Sequence, residues 1–515
     1  MKNIATVKKS TYFDSVTLMG VSKKLESSEG ILKVSVSMGT ELNQGLLREA
    51  GMNTPETDAA GPNDLMIAVR CADEADPAEI LRIVEAALHS RQAAESGSAE
   101  ADPATIRTAL HRMPDANLAL ISVPGAYAGF EAKRALEAGL HVMIFSDNVP
   151  LEEERMLKRI AHEKGLLLMG PDCGTAILNG VGLAFSNVVK RGPVGVVGAS
   201  GTGMQEVTSL LDAANVGVSQ AIGTGGRDLS DEVGGIMTID AVKLLAEDDE
   251  TRVIVVIGKA CSESVAEKLE NALAAAGKPA VVCFLGVKAP ASEQKGIRYA
   301  DTLEAVAASA AQLAGGIPLE EESGILKAQA AKIERLAPSQ RFVRGVFCGG
   351  TLANECRQIF KAMCPGLPVR SNISHDPAEA LCGTKSETHT FLDMGDDAFT
   401  VGRAHPMIDP TLRNERILAE ALDPETAVVI FDVVLGFGAA ANPLEGLSEA
   451  IETARARLSK EGRDVIFVAH VLGTAGDPQD KASVEAALRR FGVATAATNA
   501  QAARLCAHLI QEIGK

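Results

Sequence analysis

The chain has 515 residues, of which 46% are hydrophobic and 23% are charged, with 48 Gly and no Trp. Because a single core stops growing near about 250–300 residues, this length predicts roughly two to four domains. The formal net charge of −17 argues against nucleic acid or an anionic membrane as a partner, since both are polyanions. We find neither an apolar run of roughly 18 residues, the length of a membrane-spanning helix, nor a signal-peptide core at the start of the sequence.

The nine cysteines are odd in number and include no C-x-x-C pair. Neither a disulfide framework nor a metal site is therefore predicted. The pattern is typical of reduced thiols that serve as small hydrophobic side chains. We expect a cytoplasmic protein that holds no metal.

In chain order, short apolar runs that predict strands alternate with segments of helical periodicity. The alternation predicts βαβ units and parallel sheets, which is an α/β fold. Breaks rich in Gly and Pro divide the chain into domains at 1–191, 192–316 and 341–515, with a charged helical linker at 317–340. The predicted strands lie at 64–69, 118–123, 141–146, 194–199, 253–258, 280–285, 344–349, 427–434 and 465–472.

The last two predicted domains share a pattern. Each has a strand with a glycine turn ("VGVVGASGTG" and "RGVFCGGTLA"), then a second glycine turn, then another apolar strand. The two domains are either an internal repeat or two unrelated doubly wound sheets, which share such features in any case. The sequence favours neither interpretation.

The first glycine turn is Ser200-Gly201-Thr202-Gly203, which follows a predicted strand and opens a helix at about 202–204. Backbone N–H groups and the helix dipole at such a position favour an anion, and the two hydroxyl groups add donors. The turn is neither a G-x-G-x-x-G fingerprint nor a P-loop. The alternative is a plain helix N-cap by Ser200 or Thr202.

The second glycine turn, "IGTGGRDLS" (222–230), places Gly225, Gly226 and Arg227 after another predicted strand. Ligands of open α/β sheets bind beyond the carboxyl ends of the strands, so both turns are predicted to face one crevice. The guanidinium of Arg227 is predicted to hold a carboxylate or a phosphate. The alternative is a surface ion pair between Arg227 and Asp228.

The densest polar segment is "VGRAHPMIDPTLRNERI" (401–417), which carries Arg403, His405 and Arg413 and is stiffened by two prolines. The segment predicts preorganised anion binding. The alternative is a turn followed by a capped helix, with Arg413 on a solvated face. The thiol of Cys173 has no nearby His to activate it, so we expect no catalysis by this residue.

Several segments resemble known families. "LISVPGAYAGFEAKRALEAGLHVMIFSDNVPLEEE", "GLLLMGPDCGT" and "PVGVVGASGTGMQEV" resemble the succinyl-CoA synthetase alpha subunit, and "HTFLDMGDDAF" resembles the CoA-ligase part of its beta subunit. "STYFDSVTLMGVSKKL" and "GRAHPMIDPTLRN" resemble the FdrA/YahF-like proteins, a resemblance that covers essentially the whole chain. It implies a Rossmann-like, CoA-binding-like domain over 1–191 and two flavodoxin-like domains over 192–316 and 341–515.

The resemblance fails at informative positions. The segment that corresponds to the phosphohistidine of the synthetase, "FLGVKAPASEQKGIRYADTLEAV", contains no His, and Lys259 stands where the supporting glutamate is expected. Neither an ATP-grasp domain nor the amino-terminal glycine loop that grips CoA is recognisable. The chain would therefore use an acyl phosphate that is made elsewhere.

FdrA-like proteins are associated with the oxamate carbamoyltransferase of purine (allantoin) catabolism, which acts with companion subunits. The resemblance implies that role, with carbamoyl phosphate and oxamate as substrates and CoA as the one candidate cofactor. We expect a homo-oligomer with His405 and Arg403 as catalytic residues. The predicted anion ligands are Ser200, Gly201, Thr202, Gly203, Gly225, Gly226, Arg227 and Arg413.

Two alternatives to this function stay open. The first is an acyl-CoA synthetase that forms a CoA thioester together with a partner carrying ATP-grasp. The second is a non-catalytic scaffold or ligand-sensing subunit whose chemistry lies in partner chains.

Overall fold

The computed structural model describes all residues except 1, 12, 14–17, 19, 23–24, 26–30, 72–75, 96–102, 288, 291–292, 320–328, 330–331, 375, 382 and 401–402. Its residues divide into two compact units. One contains Met1–Ala104 and Met394–Asp409, and the other contains Thr105–Asp393 and Pro410–Lys515.

The elements of the first unit are β1 (Lys2–Lys8), β2 (Ile31–Met38), α1 (Glu41–Glu49), α2 (Pro55–Asp58), β3 (Leu65–Cys71), α3 (Pro77–Glu95) and, numbered by its place in the chain, α12 (Asp397–Thr400). The sheet is antiparallel, in the order β1-β3-β2. The central strand β3 is buried on both faces, because Leu65, Ile67 and Val69 pack into one apolar cluster and Met66 and Ala68 into another.

The second unit begins with α4 (Ile106–Arg112), β4 (Leu118–Ile121), α5 (Gly125–Glu137), β5 (His141–Ile144), α6 (Leu151–Glu163) and β6 (Leu168–Met169). The strands form a parallel sheet in the order β4-β5-β6. A Rossmann sheet contains two βαβαβ halves, and this sheet corresponds to one half. Ala128, Ala132 and Ala135 allow α5 to pack closely on the sheet.

A second sheet follows, built from β7 (Thr175–Leu178), β8 (Val181–Ala184), β9 (Arg191–Ala199), α7 (Gly201–Ala213), β10 (Val218–Gly223), α8 (Ile236–Glu247), β11 (Val253–Gly258), α9 (Glu263–Ala275), β12 (Ala280–Phe284), β13 (Ile297–Tyr299) and α10 (Leu303–Ala314). Its order is β13-β12-β11-β9-β10-β7-β8. Strands β9 to β13 are parallel and follow the flavodoxin-like order 2-1-3-4-5. The hairpin β7–β8 extends the sheet antiparallel to β10.

The last sheet is built from β14 (Phe342–Phe347), α11 (Gly350–Met363), β15 (Val369–Ser371), β16 (His389–Asp393), α13 (Thr411–Leu422), β17 (Thr426–Val434), α14 (Leu447–Lys460), β18 (Ile466–Leu472), α15 (Lys481–Arg490), β19 (Ala494–Ala496) and α16 (Asn499–Ile513). All its strands are parallel, in the order β15-β16-β14-β17-β18-β19. Without the short edge strand β15, this order is also 2-1-3-4-5.

The α/β class, the parallel sheets and the flavodoxin-like pair are thus confirmed. The single domain predicted for 1–191 is divided differently, because residues 1–104 form an antiparallel sheet in the first unit and the hairpin β7–β8 joins the next sheet. A strand that is buried on both faces has a continuous apolar sequence in a parallel and in an antiparallel sheet. The sequence of β3 therefore could not show which kind of sheet it belongs to. Most of the predicted linker helix at 317–340 lies outside the described residues.

No helix in the described part of the chain combines the length and the apolar character needed to cross a membrane.

Candidate functional site

The first glycine turn caps helix α7. Ser200 has extended backbone angles, and its Oγ accepts a hydrogen bond from Gly203 N at 3.2 Å. The N-cap interpretation is therefore correct, with Ser200 as the cap. The same hydroxyl lies 2.7 Å from Oγ1 of Thr351, which is in the first turn of α11.

The contact between Ser200 and Thr351 joins the N-termini of α7 and α11. A Cβ added to Gly349, the N-cap of α11, would lie 2.8 Å from Thr202 Cγ2, and one added to Gly203 would lie 3.1 Å from Thr351 Cγ2. Glycine at these two positions therefore allows the two helix ends to meet.

The two helix starts share a sequence pattern that the analysis of glycine turns missed. Residues 200–206 read "SGTGMQE" and residues 349–355 read "GGTLANE", which gives G-T-x-x-[Q/N]-E in both. The equal sheet order and the paired helix starts support an internal repeat. Aligned residue by residue, the two segments place Thr351 at the position of Thr202, but the alignment does not predict its contact with Ser200.

The charges differ between the two helix ends. Both ends carry the positive pole of a helix dipole, so their contact favours an anion. At α11 the protein supplies carboxylates: Asp432 accepts from Cys348 N at 2.7 Å and from Gly349 N at 2.9 Å, and the Asp393 carboxylate occupies the space that a Cβ on Gly350 would need. Burial raises the pKa of Asp432, although the two N–H bonds favour its charged form.

At α7, in contrast, Ser200 supplies a neutral hydroxyl and the first turn contains no acidic residue. A second hydroxyl lies beside it. Thr175 Oγ1, on β7, is buried and has no hydrogen-bond partner among the described residues. A Cβ added to Gly201 would lie 3.7 Å from that oxygen. The start of α7 thus has an unused donor next to its free backbone N–H groups.

A buried polar network lies behind the two helix starts. Glu206 Oε2, on α7, is 2.7 Å from His470 Nε2, and Asn499 bridges the helices by donating its backbone N–H to Glu206 and its side-chain amide to Glu355. Burial opposes the charge on Glu206, but the neighbouring His470 and its hydrogen bond lower the pKa of this carboxyl group. Burial raises the pKa of Glu355 to about 7. Sequence analysis missed these residues because 264 positions separate Glu206 from His470.

Arg227 of the second glycine turn binds protein groups. Its Nε is 2.7 Å from Glu154 Oε2, and its Nη2 donates to Val149 O at 2.7 Å. The predicted alternative partner, Asp228, is instead buried and 2.8 Å from Lys158 Nζ. This turn is therefore held against α6 by buried charges, and the predicted anion-binding role of Arg227 stays a prediction.

The glycines of this turn have different surroundings. Gly225 has a φ of +83°, and a Cβ there would meet the Pro171 carbonyl oxygen. Nothing lies within 4 Å of a Cβ added to Gly226. Nearby, burial raises the pKa of the Cys173 thiol to about 12, which disfavours the reactive thiolate at neutral pH.

Arg413 is buried, and its guanidinium is used inside the last domain. It donates to Asp432 O at 3.1 Å, to Asn414 Oδ1 at 3.0 and 3.2 Å, and to Pro443 O at 3.3 Å. It is not on a solvated face. The guanidinium also lies 3.6 Å from Sγ of Cys348, in the turn that follows β14. These contacts are with protein groups, and the predicted anion-binding role of Arg413 stays a prediction.

Arg403 and His405 belong to the first unit, whereas the predicted anion ligands Ser200, Arg227 and Arg413 belong to the second. Arg403 Nε donates to Asn43 Oδ1 at 3.0 Å, and His405 Nδ1 accepts from Met407 N at 3.2 Å. Burial lowers the pKa of His405 to about 4. The imidazole is therefore neutral at pH 7, with its proton on Nε2.

Comparison with known proteins shows where the chain belongs. The uncharacterized protein YahF of Escherichia coli (strain K12) is 45% identical over 473 residues, which cover 91% of this chain and 91% of that one. This chain belongs to the FdrA/YahF-like family.

Parts of this FdrA/YahF-like protein match other models and relatives. Residues 1–104 match the AllF heavy metal-associated domain, residues 189–286 a CoA binding domain and residues 346–509 a CoA-ligase domain. The succinate–CoA ligase [ADP-forming] subunit alpha 1 of Archaeoglobus fulgidus is 30% identical over 186 residues, which is 35% of this chain and 62% of that subunit. A solved acetyl-coenzyme A synthetase 1 from Ca. Korarchaeum cryptofilum has a TM-score of 0.32 at 15% identity, covering 77% of this chain and 83% of that one.

The described residues of the first unit of this FdrA/YahF-like protein do not form a site for the metal that its family model's description names. Among the described residues, no group of three His, Cys, Asp or Glu side chains could hold a metal ion. Cys71 is buried on β3, and its Sγ donates to Lys2 O at 3.6 Å. Asp64 is bonded to Lys9 Nζ at 2.7 Å and to two backbone N–H groups, which lower its pKa to about 2.

Proposed function

We propose that this protein binds carbamoyl phosphate where the N-termini of α7 and α11 meet, and that it transfers the carbamoyl group to oxamate within a complex of companion subunits. The observation that carries the proposal is the 2.7 Å contact between Ser200 Oγ and Thr351 Oγ1. It joins two helix starts whose dipoles both favour a phosphate.

The α7 side is the better phosphate site of the two. The carboxylates of Asp432 and Asp393 stand at the start of α11 and repel an anion there. Ser200 and the unpartnered hydroxyl of Thr175 stand at the start of α7, and both are neutral donors. Phosphate oxygens would replace the missing partner of Thr175 and accept from the backbone N–H groups of Gly201 and Thr202.

The chemistry requires little beyond this. The amide nitrogen of oxamate attacks the carbamoyl carbon and forms a new N–C bond. The bond between the carbamoyl carbon and the bridging phosphate oxygen breaks. Phosphate leaves with the electron pair, the nitrogen loses its proton to a base, and oxalurate is the second product. Donors fixed on the phosphate stabilise the charge that develops on the leaving group. The catalytic roles of His405 and Arg403, which belong to the first unit, stay predictions from the sequence.

Two features favour a ready-made acyl phosphate over one made from ATP. The segment 284–306 has no His to carry a phosphoryl group. Lys259, which follows β11, is exposed and positively charged, so it cannot support a phosphohistidine as a carboxylate would.

The test is phosphate-dependent cleavage of oxalurate by the full chain with its companion subunits. Ser200→Ala removes the cap and the contact with Thr351. We expect the rate of cleavage to fall at least about tenfold. The rise in Tm that phosphate induces should fall to near zero. Thr105→Ala is the matched control, because Thr105 caps α4, which precedes a different sheet, by accepting from Thr108 N at 3.2 Å. Both variants lose about 1 kcal/mol of cap stability.

Only the Ser200 variant should lose phosphate binding. A complex without phosphate-dependent cleavage of oxalurate would exclude the carbamoyltransferase function. Unchanged rates in both variants would favour the non-catalytic scaffold.

A second candidate function is acyl-CoA ligation with a partner that carries ATP-grasp. The matches of residues 189–286 and 346–509 to CoA-binding and CoA-ligase models favour it. ATP-dependent formation of a CoA thioester from a small acid would support this function, and a rise in Tm with CoA but not with phosphate would accompany it.

A cytoplasmic location and a homo-oligomeric state are part of the proposal. The first is based on cysteines that are free thiols throughout the described part of the chain. The second is developed below for one surface.

A further inference from the structure

Strand β4 forms an open edge of its sheet. It stands at the end of the order β4-β5-β6, and no strand in the described part of the chain pairs with its outer side. On its inner side, His141 N donates to Asn117 O at 2.8 Å and Phe145 N donates to Ile121 O at 2.9 Å. The carbonyl groups of Asn117 and Ile121 therefore face β5.

The main-chain groups of Leu118 and Leu120 face the other way. Successive residues of a strand direct their N–H and C=O groups to opposite sides, so these two residues point away from β5. An edge that presents unpaired N–H and C=O groups is a template for another strand.

Large apolar side chains surround this edge. The exposed fractions are 46% for Leu120, 38% for Val123, 67% for Tyr127 and 64% for Phe130. Tyr127 and Phe130 are three positions apart on the exposed side of α5, whose opposite side packs Ala128 and Ala132 into the core. Exposed apolar side chains grouped in this way mark an interaction surface.

The charges around this edge fit a second copy of the chain. The whole chain carries a net charge of −17, so two copies repel over most of their surface. Residues 112–137 are neutral overall, because their basic residues are balanced by acidic ones: Arg112, Lys133 and Arg134 against Asp115, Glu131 and Glu137. Along α5 the charged residues follow in the order Glu131, Lys133, Arg134 and Glu137, so a contact between two such helices carries no net charge.

We propose that β4 pairs antiparallel with β4 of a second copy, about a two-fold axis at Ala119, and joins the two sheets into one. Leu118 of one copy then lies opposite Leu120 of the other, and the outward N–H and C=O groups of both residues pair across the axis. A two-fold axis perpendicular to the sheet keeps both α5 helices on the same face, where Tyr127 and Phe130 of the two copies cover each other. Isologous contacts of this kind are the commonest in soluble homo-oligomers.

The experiment is sedimentation velocity of the full chain over a range of concentrations, together with hydrogen exchange of the β4 amides. We expect a dimer in which the Leu118 and Leu120 amides are protected. Leu120→Pro removes an outward N–H group, and Phe130→Glu places a charge in the apolar contact. Each should raise the dimer Kd by about thirtyfold or more.

Leu244→Glu is the matched control, because Leu244 is 44% exposed on α8 and should leave the dimer intact. A monomeric wild-type chain, or a dimer that survives both edge variants, would overturn the proposal. Protection of the β4 amides only after a companion subunit is added would assign the edge to that subunit instead. Failure here leaves the phosphate site untouched, because Ser200 variants and phosphate-induced stabilisation report on that site separately.

Discussion

Helices α7 and α11 begin with the same pattern, G-T-x-x-[Q/N]-E, and differ in how the protein treats their positive ends. Ser200 caps α7 with a neutral hydroxyl, whereas Gly349 starts α11 without a side-chain cap and with the carboxylate of Asp432 bonded to its backbone N–H. One end is faced by a protein carboxylate, and the other has a neutral cap and no acidic residue in its first turn. Equal folds can thus hold unequal sites, because function depends on the groups placed at the turn.

The glutamates at the ends of the two patterns differ as well. Glu206 faces His470 at 2.7 Å, and its pKa is lowered, whereas burial raises the pKa of Glu355 to about 7. Both ring nitrogens of His470 face acceptors, since Nδ1 lies 3.2 Å from Ala496 O. The pair Glu206–His470 is a buried hydrogen-bonded contact, and Glu355 is a buried carboxyl group with no cationic partner among the described residues.

The largest expected effect comes from Glu206→Gln. It leaves His470 buried without its carboxylate, and we expect the free energy of unfolding at pH 7 to fall by about 3 kcal/mol in urea titrations. Because the folded pKa of Glu206 is lowered, its stabilisation is present above the unfolded pKa of about 4.3 and is lost as the pH falls. The difference between variant and wild type should therefore shrink at acid pH, and a constant difference would contradict the lowered pKa of Glu206.

Glu355→Gln should change the free energy of unfolding in the opposite direction, by raising it at neutral and alkaline pH. The folded pKa of about 7 lies above the unfolded value, so protonation of Glu355 stabilises the fold at low pH, and this stabilisation is lost as the pH rises through 7. We expect the free energy of unfolding of the variant to exceed that of the wild type by about 3 kcal/mol at pH 8 and to match it below about pH 4. Urea titrations across this range measure the difference.

The control for Glu355→Gln is Glu137→Gln, on the exposed end of α5. It should leave the pH dependence of stability unchanged. Parallel pH profiles for wild type and Glu355→Gln would show that Glu355 has an ordinary pKa.

The smallest expected effect comes from Thr175→Val, which replaces an unpartnered hydroxyl with a methyl group of the same size. Folding stability should stay equal or rise by up to about 1 kcal/mol, while affinity for phosphate should fall about five- to tenfold. Calorimetry with phosphate measures the second change. Thr238→Val is the contrast, because the Thr238 hydroxyl donates to Asp228 Oδ2 at 2.7 Å and its loss should destabilise the fold.

The sequence predicted the strands and turns of the flavodoxin-like sheets well, because fully buried parallel strands such as Val253–Gly258 are continuous apolar runs. It failed where one pattern has two meanings. The run Leu65–Val69 is equally apolar but belongs to an antiparallel sheet, and both of its faces are covered.

The candidate site was only half visible in the sequence. Ser200 and its turn could be predicted, because capping and anion binding depend on local residues. Thr351 could not be predicted as its partner, since their contact spans 151 positions. Arg227 and Arg413 looked like free cations in the sequence, and only the fold shows that Glu154 and Asp432 bind them.

The first unit is assembled from two stretches of chain that are far apart in the sequence. The segment Met394–Asp409 contributes Met394, Phe399 and Met407, which are all buried, and Arg403, which binds Asn43. A ribosome adds about 5–20 residues per second, so this unit waits tens of seconds after its first stretch emerges before its last piece is made. A fragment that ends at residue 104 would lack that piece, and this amino-terminal unit cannot be completed until the chain has been made up to residue 409.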